Sequence, residues 1–455
     1  MVNKTVYILG AGASAAAQIP IQNQLLEKIF SITLTDIPCS TSILDNDSTS
    51  YLTTHFSGFE TSRRYLSDFL IYQYDEFKHL EEYQNYKKYK YYHDNSSLED
   101  FFKDTNNQEL NDFWEKNYKI LLNYQISLED VFTSLDKAIL NNDYYGIYTP
   151  EALNLISTCL KNCIIYILSL FENKQKHSNT LYKKIADKLV NDRLKTAQKD
   201  DPFSIITMNW DTLLDYYIKQ SCENHNKTIP SNAPHIYPDY CFYNYDLQKY
   251  TPSVLVKGSG NYNIKILKLH GSINWLECPN CSRIYTHSDD EISLSSIRFP
   301  DSFELSDDTC KSCLSMNRKS FGRPIIITPT YLKSFNSYAL KNIWQNAYLE
   351  LSEATELIFI GYSFPYADFE LKYILKKAIN SSCNIKVILH ANDDKLKYIK
   401  QIYNLFNINL SDQNKYKNEI FEIFENMSFP EKRYREFFTQ NKINFSYDGI
   451  ESLFK

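Results

Sequence analysis

Apolar and polar positions along the chain fall into two patterns: short apolar runs, and longer stretches with helical spacing. Val6–Leu9 is short, apolar and partly β-branched, which predicts a buried strand. Ser14 to Ala17 is small and helix-compatible, and Ile21–Phe30 continues with helical spacing. Thr33 to Ser62 is rich in Ser, Thr and Asp and reads as irregular. From Tyr65 to about Phe171 the spacing is mostly helical, with no proline between Pro38 and Pro150. Strand–helix alternation then resumes. Phe203–Thr207, Ile264–Leu269, Pro324–Thr328, Glu356–Gly361 and Ile385–Leu389 read as strands. Helices are predicted from Thr212 onward, over Trp344–Leu351 and over Asp368–Ala378. Ile385–Leu389 reads as the last clear strand, and the chain from there to Lys455 as helical and charged. Strands alternating with helices imply a parallel sheet covered on both faces, an α/β fold.

Composition narrows the class. The formal net charge of −6 argues against a dedicated nucleic-acid surface. Tyr83–Tyr92 interleaves lysines and tyrosines; it reads as a solvated helix face with tyrosines turned inward rather than as a patch for an anionic partner. No stretch approaches the ~20 apolar residues of a membrane span. The first apolar run stops at Gly10, too early for a signal peptide, so the start reads as part of the fold. Ten cysteines are present, six of them scattered, which suits a reducing cytoplasmic setting better than a disulfide framework.

Candidate chemistry gathers at strand ends. In an open parallel sheet, ligands bind beyond the carboxyl ends of the strands. Four of the expected strands end in Gly10-Ala11-Gly12-Ala13-Ser14, Thr207-Met208-Asn209-Trp210-Asp211, His270-Gly271 and Gly361-Tyr362-Ser363-Phe364-Pro365. Gly10, Gly12 and Ala15 fit the G-x-G-x-x-G/A dinucleotide pattern, in which glycines let a phosphate approach the backbone and a helix N-terminus faces it. Asn209 can hold a ribose hydroxyl or a water, or cap the next helix; Asp211 is the other candidate for that cap. Histidine is the side chain whose unperturbed pKa lies near neutrality, so His270 can act as a general base or orient a hydroxyl. Ser127 is placed to cap a helix carrying Glu129 and Asp130 in its first turn. Cys278, Cys281, Cys310 and Cys313 form two C-x-x-C pairs separated by 28 residues, a pattern suited to tetrahedral structural zinc.

These motifs, in this order from Thr5 to Asn392, resemble the sirtuin (Sir2) superfamily. The resemblance implies a Rossmann-like parallel sheet with helices on both faces, a helical insertion and a small zinc-ribbon module. It divides the chain into an NAD-binding core at 1–30 and 201–392, a mainly helical insertion at 31–200, a zinc-ribbon insertion at 272–323 and a helical C-terminal extension at 393–455. Residue by residue, it implies that Gly10 to Ser14 and Pro20 form the NAD phosphate and nicotinamide loop. Asn209 and Asp211 would stand beside the nicotinamide ribose, and His270 matches the catalytic histidine. The four cysteines match zinc ligands. Gly361 and Ser363 match a segment near the cofactor, with Asp368 following, and Asn392 matches an adenosine-side asparagine. Departures from protein deacylases at Met208, Trp210, Tyr362, Phe364 and Pro365, together with the insertion, look like the SIR2-like effectors of bacterial anti-phage defence. That resemblance implies an NAD+ glycohydrolase that depletes NAD. Its control would come from a homo-oligomer or a co-encoded partner such as an ATPase or Argonaute-like protein. A lysine deacylase and a catalytically silent NAD or ADP-ribose sensor are the alternatives.

Overall fold

The computed structural model describes residues 3–37, 52–53, 55–73, 108–176, 178–242, 260–278, 280–282, 284–286, 313, 323–330, 337–366, 368–389 and 429–454. Tyr83–Tyr92, Cys310 and Asn392 lie outside them.

Strand β1 (Thr5–Leu9) leads into the short helix α1 (Ala11–Ala15), and α2 (Gln22–Ser31) follows. The helical layer comprises α3 (Phe56–Gln73), α4 (Gln108–Leu122), α5 (Leu128–Asn141), α6 (Pro150–Gln175) and α7 (Thr180–Leu194). Next come β2 (Phe203–Thr207), α8 (Leu213–Thr228), β3 (Ile236–Asp239), β4 (Tyr262–Lys268), β5 (Gly271–Glu277), β6 (Ile284–Thr286) and β7 (Arg323–Ile326). Then follow, among the described residues, α9 (Tyr338–Glu353), β8 (Glu356–Ile360), α10 (Phe369–Ala378), β9 (Asn384–Ile388), α11 (Phe429–Phe437), β10 (Ile443–Ser446) and a short 3-10 turn at Ile450–Phe454.

Among the described residues, seven strands form one parallel sheet in the order β10-β9-β8-β1-β2-β4-β3. Period-2 alternation splits its side chains between two cores. Val6, Ile8, Ile206, Leu357 and Phe359 pack on the face carrying α9 and α10. Leu9, Ile205, Ile358, Ile360 and Ile266 pack on the opposite face, against the helical layer. The strand order turns back at β1, between β2 and β8, and such a reversal opens a crevice at the carboxyl ends. Register then places the motifs. Leu9 pairs with Thr207 and with Ile360, and Thr207 with Lys268, so Gly10, Met208, Leu269 and Gly361 all start at the same level.

Helix α6 anchors the layer. Thr149 caps it by accepting from Ala152 N at 3.3 Å, and Pro150 occupies its first turn, where a missing N–H costs nothing. Its apolar length meets the size of a membrane span, contrary to the reading of the sequence. However, 78% of its apolar window is buried inside the protein, as expected of a core helix. α5 begins at Ser127, whose Oγ accepts from Asp130 N at 3.3 Å, as its spacing predicts.

Four other expectations need correction. The first helix starts at Ala11 rather than Ser14 and ends after five residues. There Ile19 N bonds back to Ser14 O at 3.1 Å, and Gln18 takes a positive φ. The polar stretch to Ser62 turns helical from Phe56, because Phe59 is buried in the core even though its neighbours are polar. β7 does not join the parallel sheet; with β5 and β6 it forms a separate three-stranded antiparallel sheet. Finally, the region read as a helical tail supplies β10, which pairs in parallel with β9. Its mixed INFS sequence suits an edge strand and carries little apolar signal.

Candidate functional site

A cleft of about 980 Å³ opens at the aligned strand ends. Ala11, Gly12, Ser14, Pro20, Asn209, Asp211, His270, Gly361, Ser363 and Asp368 all line it. Gly10 and Ala13 stand just behind the lining; the first contributes its carbonyl, and the second is buried. Its other wall comes from the helical layer, through Leu121 to Glu129 at the α4–α5 junction and Leu168 of α6.

Asn209 is fixed by an acceptor that cannot be anything else. Its Nδ2 donates to Gly10 O and to Ser14 Oγ, both at 2.9 Å, and its backbone N–H is taken by Thr207 Oγ1 at 3.0 Å. A carbonyl demands the amide nitrogen opposite it, so the carboxamide orientation is determined, and its oxygen is the acceptor end of a residue that lines the cleft. Ser14 Oγ in turn donates to Asp211 Oδ2 at 2.6 Å. Asp211 Oδ1 accepts from Leu213 N, the first residue of α8, at 3.4 Å, while the N-cap position itself is Thr212 rather than either candidate, Asn209 or Asp211. Burial pushes the Asp211 carboxyl up, with the Lys268 cation and the Ser14 hydroxyl pulling the other way.

This loop is also held from beneath. Lys268, fully buried at the end of β4, donates to Asp211 O at 2.5 Å and reaches Asp215 Oδ2 at 3.3 Å. Glu172, fully buried on α6, accepts from Thr212 N at 2.6 Å and Thr212 Oγ1 at 2.7 Å, with Lys176 Nζ at 3.4 Å. Burial pushes the Glu172 carboxyl up against the pull of Lys176. Trp210 Nε1 donates to Ile327 O at 3.2 Å, which ties the loop to the segment after β7.

His270 comes two residues after the end of β4, and its carbonyl accepts from Ile327 N at 2.8 Å. Gly271 then turns the chain at φ +77, where an added Cβ would meet Ile325 O at 2.1 Å. His270 Nε2 lies 3.8 Å from Asp368 Oδ1, and Tyr362 Oη donates to Asp368 Oδ2 at 2.6 Å. The glycine motif serves packing as well as the cleft. Gly12 N donates to Gly361 O at 2.8 Å and Ala13 N to Gly10 O at 2.9 Å, so these two amides face the protein rather than a phosphate. Gly361, at φ +58, sits so close that a Cβ there would meet Ala13 N at 2.1 Å.

The sequence reading missed Glu172, Lys268 and Tyr362 as supports and Glu129 as a wall residue. Lys268 stood within the expected strand Ile264–Leu269, and Tyr362 within the motif Gly361–Pro365. Glu172 is one acid in an apolar helix, and only the fold brings it under Thr212.

Beyond the main cleft, the sulfurs of Cys278, Cys281 and Cys313 lie within 4.8 Å of one another, with Cys278 and Cys313 3.7 Å apart. Zinc–sulfur bonds of about 2.3 Å imply tetrahedral S···S edges near ~3.8 Å, so these three side chains fit a thiolate-bound metal.

No family model matches the chain, and no curated protein matches it. Among solved structures it is similar to a Sir2 enzyme at 14% identity, covering 85% of this chain and 81% of the other, with a TM-score of 0.30. It is also similar to Sir2Tm bound to a propionylated peptide, at 12% identity, covering 90% and 94%, with a TM-score of 0.28. A Sir2–p53 peptide–NAD+ structure matches at 14% identity, covering 86% and 84%, with a TM-score of 0.28.

Proposed function

We propose that this chain is an NAD+ glycohydrolase that releases nicotinamide and ADP-ribose, acting as an NAD-depleting effector in anti-phage defence. The observation that carries this reading is the fixed Asn209 carboxamide, held by its nitrogen in the lining of a cleft that also holds His270 and Asp368. Breaking the glycosidic C–N bond sends its electron pair to the ring nitrogen, so nicotinamide leaves neutral. The cation-like ribose carbon then takes a water oxygen, and the water loses a proton. Asn209 Oδ1 accepts from that water or from a ribose hydroxyl and orients it. His270 takes the proton, and Asp368 beside it favours the imidazolium that forms. The Ser14–Asp211 bond and the Glu172 and Lys268 contacts hold the loop so that no reorganisation is needed at the moment of reaction.

A deacylase would need room for a peptide strand beside Thr328-Pro329-Thr330. Thr328 Oγ1 donates to Asp136 Oδ2 of α5 at 3.3 Å, and Pro329 lines the cleft. The helical insertion thus meets the segment an acyl-peptide would have to reach, which favours water as the acceptor. Cys278, Cys281 and Cys313, with Cys310 as the fourth thiolate, would hold a structural zinc; four thiolates leave no open coordination position for catalysis. Homo-oligomerisation or a co-encoded partner would keep such an activity in check.

The test incubates the purified chain with NAD+, with and without an acetylated peptide, and separates the products. ADP-ribose formed without peptide supports the hydrolase. O-acyl-ADP-ribose formed only with peptide establishes the deacylase instead, and nucleotide binding with no turnover, even with co-encoded proteins added, favours a sensor.

A further inference from the structure

Helices α9 and α10 lie side by side on the face away from the helical layer, with an open groove of about 620 Å³ between them. Trp344, Tyr348, Phe369 and Tyr373 line it, flanked by Lys341 and Lys377, with Glu370 as the carboxylate of the lining. The rings are unusually open to solvent: Phe369 is 57% exposed and Tyr373 66%. Aromatic side chains grouped along one groove offer contact area to a partner. Lysines sit against the rings, Lys377 Nζ being 5.6 Å from the Tyr348 centroid and 5.9 Å from that of Tyr373. This patch is basic on a chain of net charge −6.

We infer that this groove docks an acidic amphipathic helix of a protein partner. Its apolar side chains would pack on the four rings, and its flanking carboxylates would meet Lys341 and Lys377. Two walls of the groove lead straight to the candidate site. Trp344 Nε1 donates to Leu269 O at 3.1 Å, one residue before His270. Phe369 follows Asp368 in the chain, where α10 begins. A helix seated between Trp344 and Phe369 therefore bears on both members of the His270–Asp368 pair, which stand at 3.8 Å, beyond hydrogen-bond length. Docking would close that pair. This coupling rests on the hydrolase reading; the docking itself does not.

The test uses the full chain and a fluorescein-labelled synthetic helix of about 16 residues, with Leu at i, i+3, i+4 and i+7 and Glu on the flanks. Controls are the same composition scrambled and a Lys-for-Glu version. Anisotropy should show saturable binding of the acidic helix, at least about tenfold tighter than either control and weakening with salt. Tyr373→Ala and Lys377→Glu should each weaken it by about tenfold or more, with circular dichroism unchanged. Equal binding of the three peptides, or unchanged affinity in both variants, overturns the proposal. So does sedimentation showing a dimer of this chain that Tyr373→Ala abolishes, because the groove then belongs to a second copy. With saturating peptide, faster NAD+ cleavage supports the coupling. Peptide binding with unchanged cleavage removes the coupling alone, and binding with no cleavage in any sample counts against the hydrolase reading rather than the docking.

Discussion

The two walls of the cleft are built by different physics. One wall is the row of strand ends, where β1, β2, β4 and β8 stop in register and each hands over to a polar or glycine motif. Its contacts are short and polar, from Asn209 on Gly10 O to Ser14 on Asp211. The other wall is helical and largely apolar, with Leu121, Leu122, Ile126 and Leu128 facing the same space. On the proposed function, the first wall would carry the chemistry and the second would limit what reaches it. A residue's contribution should therefore depend on its wall: loss of turnover for the strand ends, altered access or stability for the helices.

The largest expected effect is on the strand-end wall. His270→Ala should lower nicotinamide release by about 10²–10⁴-fold, the range of general acid–base catalysis, while thermal unfolding stays near wild type. A loss below tenfold would break the assignment of chemistry to this wall.

Glu172 joins the two walls, so its removal should read mainly in stability. Glu172→Ala leaves Lys176 without its buried carboxylate and Thr212 N–H without its acceptor, which should cost about 3–5 kcal/mol in urea unfolding. Glu172→Gln keeps an acceptor for Thr212 and should cost less. Folding raises the pKa of Glu172, so the native state binds more protons than the unfolded state above the ordinary carboxylate range. Its contribution is then complete at low pH and is lost as pH rises towards the raised value. The stability gap between wild type and Glu172→Gln should accordingly move in favour of the variant as pH increases; a gap independent of pH would contradict the raised pKa.

The smallest effect belongs to the helical wall. Ser127→Ala removes one cap bond to Asp130 N and should cost about 1 kcal/mol, with turnover changed severalfold at most. A loss comparable to that of His270→Ala would place chemistry on the helical wall and erase the distinction.

How legible each wall was in the sequence follows from the same difference. Strand ends read well because apolar β-branched runs stop abruptly at Gly10, Asn209, His270 and Gly361. Parallel pairing then fixes where those residues meet. Ser127 was legible too, since capping is a local interaction. Glu172 and the contact from Thr328 to Asp136 were not, because each joins segments far apart in the chain, and no local spacing encodes them. Pro324–Thr328 was read correctly as extended, but its pairing with β5 in a separate sheet was not foreseen, because a strand's apolar pattern does not name its partner. Nor does periodicity announce β10, a short edge strand with a mixed sequence.

The most direct test of the central claim follows nicotinamide and ADP-ribose release from NAD+ by the wild-type chain and by Asn209→Ala, with NAD+ binding measured in both by calorimetry. Equimolar products from the wild type, a loss of about 10³-fold in the variant, and affinity retained within several-fold would fit an oxygen that acts mainly in the transition state. Undiminished cleavage by Asn209→Ala would contradict the account.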